Sequence, residues 1–229
     1  MGEDMAAITL QDFGAAMAAL SALSTAAFGL LDTTKAFWGG ISNVGLGHIK
    51  TALKPFEPAL NAAVGADNRW NVIRANWLNG VGKAEQKAVV RALIKLGLSE
   101  ATAPSLASAA HVDPAALTTA ARKLTDGKPM TEADMNVLGR MNAVIDALLD
   151  AAFEAAEQQY RNFSRLGAGV IAVALSLGAL QFWPAGSKPP TVFAALAVGL
   201  LAVPLAPIAK DLTSALSTAM QALKAAKSA

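Results

Sequence analysis

The chain carries three long stretches without a charged residue, one near its start and two near its end. They cover residues 13–31, 166–187 and 189–209. The first contains nineteen residues. As a helix it would extend about 28 Å, close to the roughly 30 Å of hydrocarbon in a bilayer. The pattern predicts a first transmembrane helix at residues 13–34 and a transmembrane helical hairpin at residues 166–209.

Between these stretches, apolar residues recur at three- and four-residue steps, and no alternation is long enough to predict a strand. Residues 35–165 are therefore expected to form a helical domain. The spacing places Val89, Leu93 and Leu96 on one helix face, which predicts that this face is buried. Residues 41–53 could lie on the membrane surface as an amphipathic segment or form part of the domain core. Because glycines at 39, 40, 45 and 47 disfavour a stable helix, a re-entrant or irregular joint is the third alternative.

Residues 131–182 have the longest helical pattern in the chain. Thr131 and Asp134 resemble a capping box, in which each side chain accepts from the other residue's backbone N–H. The pattern continues without proline into the second uncharged stretch, so one long helix is expected to run into the second span. A break near Gly167 and Gly169 is the alternative, because glycine lowers helix propensity. Earlier in the chain, a helix is expected to begin at Asp113 as its N-cap.

The end of the chain contains two prolines inside the third uncharged stretch. Pro204 and Pro207 are expected to kink or end the third span, and residues 210–229 to form an amphipathic C-terminal helix. The predicted fold class is all-α: an integral membrane protein with three transmembrane helices and a cytoplasmic helical insert.

The placement of the 19 basic residues predicts the topology. None precedes the first uncharged stretch, fifteen lie in residues 35–165, Lys188 lies in the hairpin link, and three follow the last stretch. Basic residues are retained on the cytoplasmic side during insertion. An external tail at residues 1–12, a cytoplasmic middle segment and a cytoplasmic C-terminus fit this distribution, although a long domain can override the rule.

Aromatic and basic residues stand at the ends of the uncharged stretches, where lipid headgroups would lie. They are Trp38, Tyr160, Arg161, Arg165 and Trp183. Trp and Tyr are enriched at membrane interfaces, and arginine reaches toward the headgroups. These five residues are predicted interface anchors, and ordinary packing is the alternative for the aromatic ones.

Small and polar side chains follow one side of each predicted span. In the first span they lie within about 60° of one another at 100° per residue. Helices in lipid approach closely through such residues, so these faces are expected to pack against another helix or to line an aqueous path. Because three thin helices enclose little volume, the faces also predict a homo-oligomer. The positions are Gly14, Ala18, Ser21, Thr25 and Asp32 in the first span, Ala168, Ala172 and Ser176 in the second, and Ala195 and Gly199 in the third.

Composition and motifs give no indication of chemistry. With 54% hydrophobic and 16% charged residues, the chain is more apolar than a typical soluble domain. It has no cysteine, and His48 and His111 lie far apart. No serine stands in a nucleophile elbow, and no glycine directly precedes Lys50 and Thr51 as a phosphate-binding loop requires. We therefore predict no catalytic, cofactor-binding or metal-binding residue and no enzymatic activity.

Basic and aromatic residues alternate at Arg69, Trp70, Arg74 and Trp77, as they do in surfaces that bind nucleic acid or anionic lipid. A helix that buries Trp70, Ile73 and Trp77 and leaves the arginines in solvent has the same spacing, and this is the interpretation we favour. The net charge is only +2, so no nucleic-acid partner is expected.

The C-terminal part of the chain has two short segments in common with a known group. Residues 159–165 are Gln-Tyr-Arg-Asn-Phe-Ser-Arg, and residues 174–180 are Ala-Leu-Ser-Leu-Gly-Ala-Leu. This resembles an uncharacterised family of bacterial three-span membrane proteins, in which a Tyr- and Arg-rich helix end enters a span ending Ala-Leu-Asn-x-Asp-Thr-Leu. Ser176 and Gly178 stand where that pattern has Asn and Asp. The resemblance implies a three-span layout with a cytoplasmic helical insert, in a bacterial inner (plasma) membrane, and no activity.

These observations lead to two hypotheses of function, with the lipid bilayer as a partner in both. The first is a non-enzymatic integral membrane protein that forms a homo-oligomeric assembly, as a pore or a membrane-perturbing effector. It is motivated by the small polar faces. The second is a membrane anchor or scaffold that recruits a soluble protein partner, and it is motivated by the size of the helical insert.

Overall fold

The computed structural model describes residues 10–37 and 39–228. This part of the chain contains no strand, so the prediction of an all-α fold is confirmed for it. The described residues form nine α-helices: α1 (Leu10–Thr33), α2 (Leu46–Leu53), α3 (Glu57–Val64), α4 (Arg69–Leu78), α5 (Lys83–Leu96), α6 (Ala103–Ala110), α7 (Pro114–Thr125), α8 (Glu132–Ala179) and α9 (Val192–Ser228). Short 3-10 turns lie at Thr34–Ala36, Gly40–Asn43, Lys54–Phe56 and Leu180–Phe182.

Three of these helices are long and apolar enough to cross a membrane. The apolar segments lie in Asp12–Ala36, Glu132–Phe182 and Val192–Ala209. The predicted number of span-length helices is therefore confirmed.

The chain divides into two compact units. The apolar unit comprises Met1–Ile41 and Arg161–Ala229, and the middle unit comprises Ser42–Tyr160. Helix α8 contributes residues to both units, because the boundary falls inside it.

The middle unit has a core of aliphatic and aromatic side chains from several helices. Ile49 and Leu53 of α2 are at most 1% exposed, and they share this core with Phe56, Ile145 and Phe153. Burying one such side chain contributes about 1.5–3 kcal/mol. Of the three alternatives for residues 41–53, the domain core is therefore the one that α2 adopts.

Both predicted N-terminal caps are present in the middle unit. Asp113 Oδ1 accepts from the N–H of Ala115 at 2.9 Å at the start of α7. At the start of α8, Thr131 N–H donates to Asp134 Oδ2 at 2.7 Å, and Asp134 N–H donates to Thr131 Oγ1 at 3.3 Å. These reciprocal bonds satisfy N–H groups that the first helical turn leaves free.

Helices α8 and α9 each continue past residues that disfavour helix. Helix α8 is unbroken through Gly167 and Gly169, so the alternative of a break there does not occur. Helix α9 continues through Pro204 and Pro207 to Ser228 rather than ending at either proline. A proline inside a helix removes one backbone donor and crowds the preceding turn.

The buried face of α5 differs from the predicted one. Gln86, Val90 and Ile94 are buried, whereas Leu96 is 70% exposed. The prediction that Leu96 is buried was wrong, because α5 carries apolar residues on two adjoining faces and its neighbours decide which one is covered. The amide of Gln86 is accommodated in this face because its Nε2 donates to the carbonyl of Val81 at 2.5 Å.

Gly97 follows α5 at the point where α3 passes closest to it. A Cβ atom on Gly97 would lie 1.8 Å from the carbonyl oxygen of Ala59. Gly97 has φ −87°, which any residue can adopt. The position therefore needs glycine because of the close approach of the α3 backbone.

Ion pairs connect α5 to α8 at four-residue intervals on both helices. Lys83 Nζ lies 2.7 Å from Glu154 Oε1 and 3.1 Å from Glu157 Oε1. One turn later, Lys87 Nζ lies 2.8 Å from Asp150 Oδ1. The third pair of this ladder joins Arg91 Nη1 to Asp146 Oδ2 at 2.7 Å. Because partners on α8 fall by four as those on α5 rise by four, the two helices are antiparallel.

We expect Gly97→Ala to destabilise the middle unit by about 1–3 kcal/mol, because the added methyl overlaps the α3 backbone. The matched control is Gly139→Ala. Gly139 lies exposed within α8, and apart from its own helix backbone nothing lies within 4 Å of a Cβ built there. The control should stabilise by about 0.5–1 kcal/mol. Denaturant unfolding of the full chain in detergent measures both. Unchanged stability of Gly97→Ala would contradict the close approach of α3 and α5.

Lys83 is expected to make the stability of the middle unit pH-dependent in alkaline solution. The hydrogen bonds that Lys83 donates to Glu154 and then to Glu157 raise the pKa of Lys83 above its ordinary value of 10.5. A raised pKa means that the stabilisation is present below pH 10.5 and is lost as the pH rises through the folded-state value. Wild type should therefore unfold at a slightly higher temperature than Lys83→Met at pH 8, by about 2 °C or less. This difference should vanish as the pH passes the raised pKa.

The control for this experiment is Lys83→Arg, because a guanidinium stays charged throughout the range. Its melting temperature should exceed that of Lys83→Met at every pH from 8 to 11.5. If wild type and Lys83→Met differ by the same amount at both ends of the range, the ion pairs do not contribute.

Candidate functional site

Three of the predicted small residues of α8 and α9 lie at a close contact between these two helices: Ser176, Ala195 and Gly199. Ser176 Oγ donates to the carbonyl of Ala195 at 2.6 Å. A Cβ atom on Gly199 would lie 2.6 Å from Val173 Cα. Since the partner on α9 rises in number as the residue on α8 falls, the two helices form an antiparallel hairpin. Exposure is lowest at four of the five predicted residues, with Ala168, Ala172, Ala195 and Gly199 buried and Ser176 half-buried.

Helix α1 completes the core of the apolar unit with a different face from the predicted stripe. Its buried residues are Leu20, Ser24, Ala27 and Leu31. Three of them, Leu20, Ala27 and Leu31, pack in a cluster with Ala168, Ala172 and Ala202. At 100° per residue this face lies about 120° around the helix from the predicted stripe. Gly14 and Ser21 are half-buried, whereas Ala18, Thr25 and Asp32 are exposed.

The polar groups of the stripe have local partners. Thr25 Oγ1 donates to the carbonyl of Ser21 at 2.9 Å. The carboxylate of Asp32 lies 2.6 Å from Lys35 Nζ. The face is therefore small and exposed, and these two polar side chains already have partners.

The structure describes four of the five predicted interface anchors. Trp38 lies outside the described residues. Tyr160 is half-buried in the middle unit, and Arg161, Arg165 and Trp183 are exposed in the apolar unit. Of these, Arg165 has the most informative surroundings, because it lines a groove.

A groove of about 720 Å³ lies between α8 and α9, beyond the close contact at Gly199. On α8 it extends from Arg165 to Val173, and on α9 from Leu200 to Pro207. Its other lining residues are apolar: Leu166, Gly169, Val170, Val203 and Pro204. This groove was not predicted, because its walls combine residues of α8 and α9 that lie far apart in the chain. Two prolines three residues apart in an apolar helix were a signal that α9 is irregular there.

A second feature lies on the middle unit. A shallow depression of about 390 Å³ is lined by residues that include Lys95, Leu96, Leu98 and Leu124. Leu96 is 70% and Leu124 is 47% exposed. The sequence analysis missed this patch because it assigned Leu96 to the buried face of α5.

The alternating basic and aromatic residues of α4 are used inside the middle unit. Arg69 Nη2 lies 2.5 Å from Glu57 Oε1, and Trp77 Nε1 donates to the carbonyl of Ser42 at 2.7 Å. Ile73 is buried and Trp70 is half-buried. The helix is packed as in the favoured interpretation, but Trp70 and Trp77 are half-buried rather than buried. The arginines are also partly buried, and Arg74 Nε donates to Asn43 Oδ1 at 3.2 Å.

The residues that the structure describes contain no group of three or more His, Cys, Asp and Glu side chains that could hold a metal ion. Comparison with known proteins gave no likeness from which chemistry could be transferred. No protein family model matches the chain, and neither a curated protein nor a solved structure is similar to it.

Proposed function

We propose that the chain is a non-enzymatic integral membrane protein whose three long apolar helices cross the bacterial inner membrane. The length and hydropathy of these helices support insertion. The distribution of basic residues supports an external N-terminus, a cytoplasmic middle unit and a cytoplasmic C-terminus.

Within the membrane, the protein forms a homo-oligomer through the stripe on α1. The observation that carries this proposal is that the core of the apolar unit covers a different face of α1 and leaves Ala18 and Thr25 exposed. Small side chains let a helix of a second copy approach closely, which is how helices associate in lipid. A closed ring would be the simplest such assembly, and it would act as a pore or perturb the bilayer.

Ala18→Leu combined with Thr25→Leu should weaken self-association roughly tenfold, because two large side chains then separate the helices. Both residues are exposed, so the fold of one chain should be unaffected. Multi-angle light scattering in detergent, repeated in nanodiscs, measures the mass. A strictly monomeric wild-type particle in both would overturn the proposal.

The matched control is Ala19→Leu combined with Ala26→Leu, on the third face of α1. This face lies about 120° from the stripe and about 120° from the packed face, and both alanines are exposed. The control should keep the wild-type mass. In liposomes, a pore would give ion flux that the stripe variant loses and the control retains.

A second candidate function is a membrane anchor or scaffold, and the patch at Leu96 and Leu124 favours it. Two large exposed leucines beside Lys95 form an apolar surface with a positive charge at its edge. Such patches are suited to binding a soluble protein that presents apolar side chains and a nearby carboxylate.

For this second function we expect chemical crosslinking in native membranes to link a partner protein to the full wild-type chain. Leu96→Gln combined with Leu124→Gln should abolish this crosslink. Met135→Gln is the control, because Met135 is 57% exposed and does not line the patch. Quantitative mass spectrometry of the crosslinked material compares the three proteins. If the patch variant and wild type yield the same partners in the same amounts, the patch does not recruit a partner.

A further inference from the structure

We propose that the groove between α8 and α9 binds one anionic phospholipid, with its phosphate at Arg165 and an acyl chain along the apolar walls. The inference rests on the membrane insertion proposed above, and it adds a ligand of stated chemistry that the oligomer proposal does not require.

The shape of the groove follows from how the hairpin packs. At Val173 and Gly199 the helices approach so closely that a Cβ atom on the glycine would overlap α8. The groove begins just beyond this contact and continues toward Arg165 and Pro207. Its walls of Val170, Val173, Leu200 and Val203 present only hydrocarbon side chains, which suit an acyl chain.

Part of the space in the groove lies where α8 carries no side chain. Gly169 lines the groove, and a Cβ atom there would have no neighbour within 4 Å. On the opposite wall, Pro204 and Pro207 contribute apolar rings. The lining therefore leaves room for an acyl chain at Gly169.

Arg165 is the one charged residue among those that line the groove. It is exposed, and within the part of the chain that the structure describes it forms no ion pair. In the sequence it directly precedes the uncharged stretch 166–187, which places it at the level of the headgroups in an inserted chain. A guanidinium binds phosphate oxygens with two parallel hydrogen bonds.

The combination of one cation and a long apolar wall fits an amphiphile better than other occupants. A free phosphate would use only the Arg165 end. A helix of a second copy would have to cover Arg165, and burying a cation without a counter-charge is costly. Basic pockets between membrane helices are known sites for anionic headgroups.

The test uses the full chain in a neutral detergent, titrated with dioleoyl phosphatidylglycerol or with dioleoyl phosphatidylcholine. The two lipids have the same chains and differ in headgroup charge. Native mass spectrometry counts bound lipids and protein copies in the same spectrum. We expect phosphatidylglycerol to bind roughly tenfold more tightly, because both lipids offer a phosphate to Arg165 but phosphatidylcholine also brings a choline cation that the guanidinium repels.

Three variants locate the site. Arg165→Gln should abolish the preference for phosphatidylglycerol. Lys188→Gln, which removes a charge from the exposed hairpin link, should keep it. Val170→Phe replaces a side chain that is 65% exposed in the groove, and it should reduce binding of both lipids several-fold by filling the space.

Equal binding of the two lipids would overturn the proposal. So would a preference for phosphatidylglycerol that survives Arg165→Gln. Displacement of phosphatidylglycerol by an equal concentration of glycerol 3-phosphate would identify a site for small phosphates instead. If Val170→Phe changed the number of protein copies in the particle but left the number of bound lipids unchanged, the groove would be an interface with a second copy. Protein copies and bound lipids are counted separately. A monomeric protein that binds the lipid would therefore refute the proposed oligomer and leave the proposed lipid site standing.

Discussion

Both compact units depend on helix α8, because each builds its core on a different part of the same helix. In the middle unit, Met141, Ile145 and Leu149 are almost completely buried. In the apolar unit, Ala168 and Ala172 take their place. Large aliphatic side chains stabilise helix packing where burial removes them from water. Where the surroundings are themselves apolar, small side chains stabilise helix packing more, because they let backbones approach and increase van der Waals contact. The change from large to small residues along α8 therefore matches two different sources of packing energy.

The helices that pack against α8 are oriented by different interactions in the two units. In the middle unit, the ion-pair ladder aligns α5 antiparallel to α8. Exposed ion pairs contribute little stability, so the ladder's main effect is to favour one register, since a shift by one residue would separate all the charges. In the apolar unit, the hairpin is aligned by the hydrogen bond from Ser176 to the carbonyl of Ala195 and by the close approach at Gly199. Beyond this contact lies the groove, which Pro204 and Pro207 line on the α9 side.

Among the residues that the structure describes, this packing leaves uncovered the stripe, the groove and the patch, and these three surfaces differ in chemistry. The stripe on α1 is small and suits a second helix. The groove at Arg165 combines hydrocarbon with one positive charge and suits an anionic lipid. The patch at Leu96 and Leu124 belongs to the middle unit and suits a soluble protein. A membrane assembly that holds lipid and a scaffold that recruits a partner would use different parts of the chain, so the two functions do not exclude each other.

The sequence alone determined the features that depend only on residues close together in the chain. Uncharged length indicated the three long apolar helices, and the caps at Asp113 and Thr131 were predicted because a side chain close to a helix start can satisfy its free N–H groups. Only the tertiary structure decided which faces are covered. It buried Val90 instead of Leu96, it explained Gly97 by the nearness of Ala59, and it opened the groove. Each of these depends on atoms from residues far apart in the chain, and helical periodicity specifies a candidate face without specifying the neighbour that covers it.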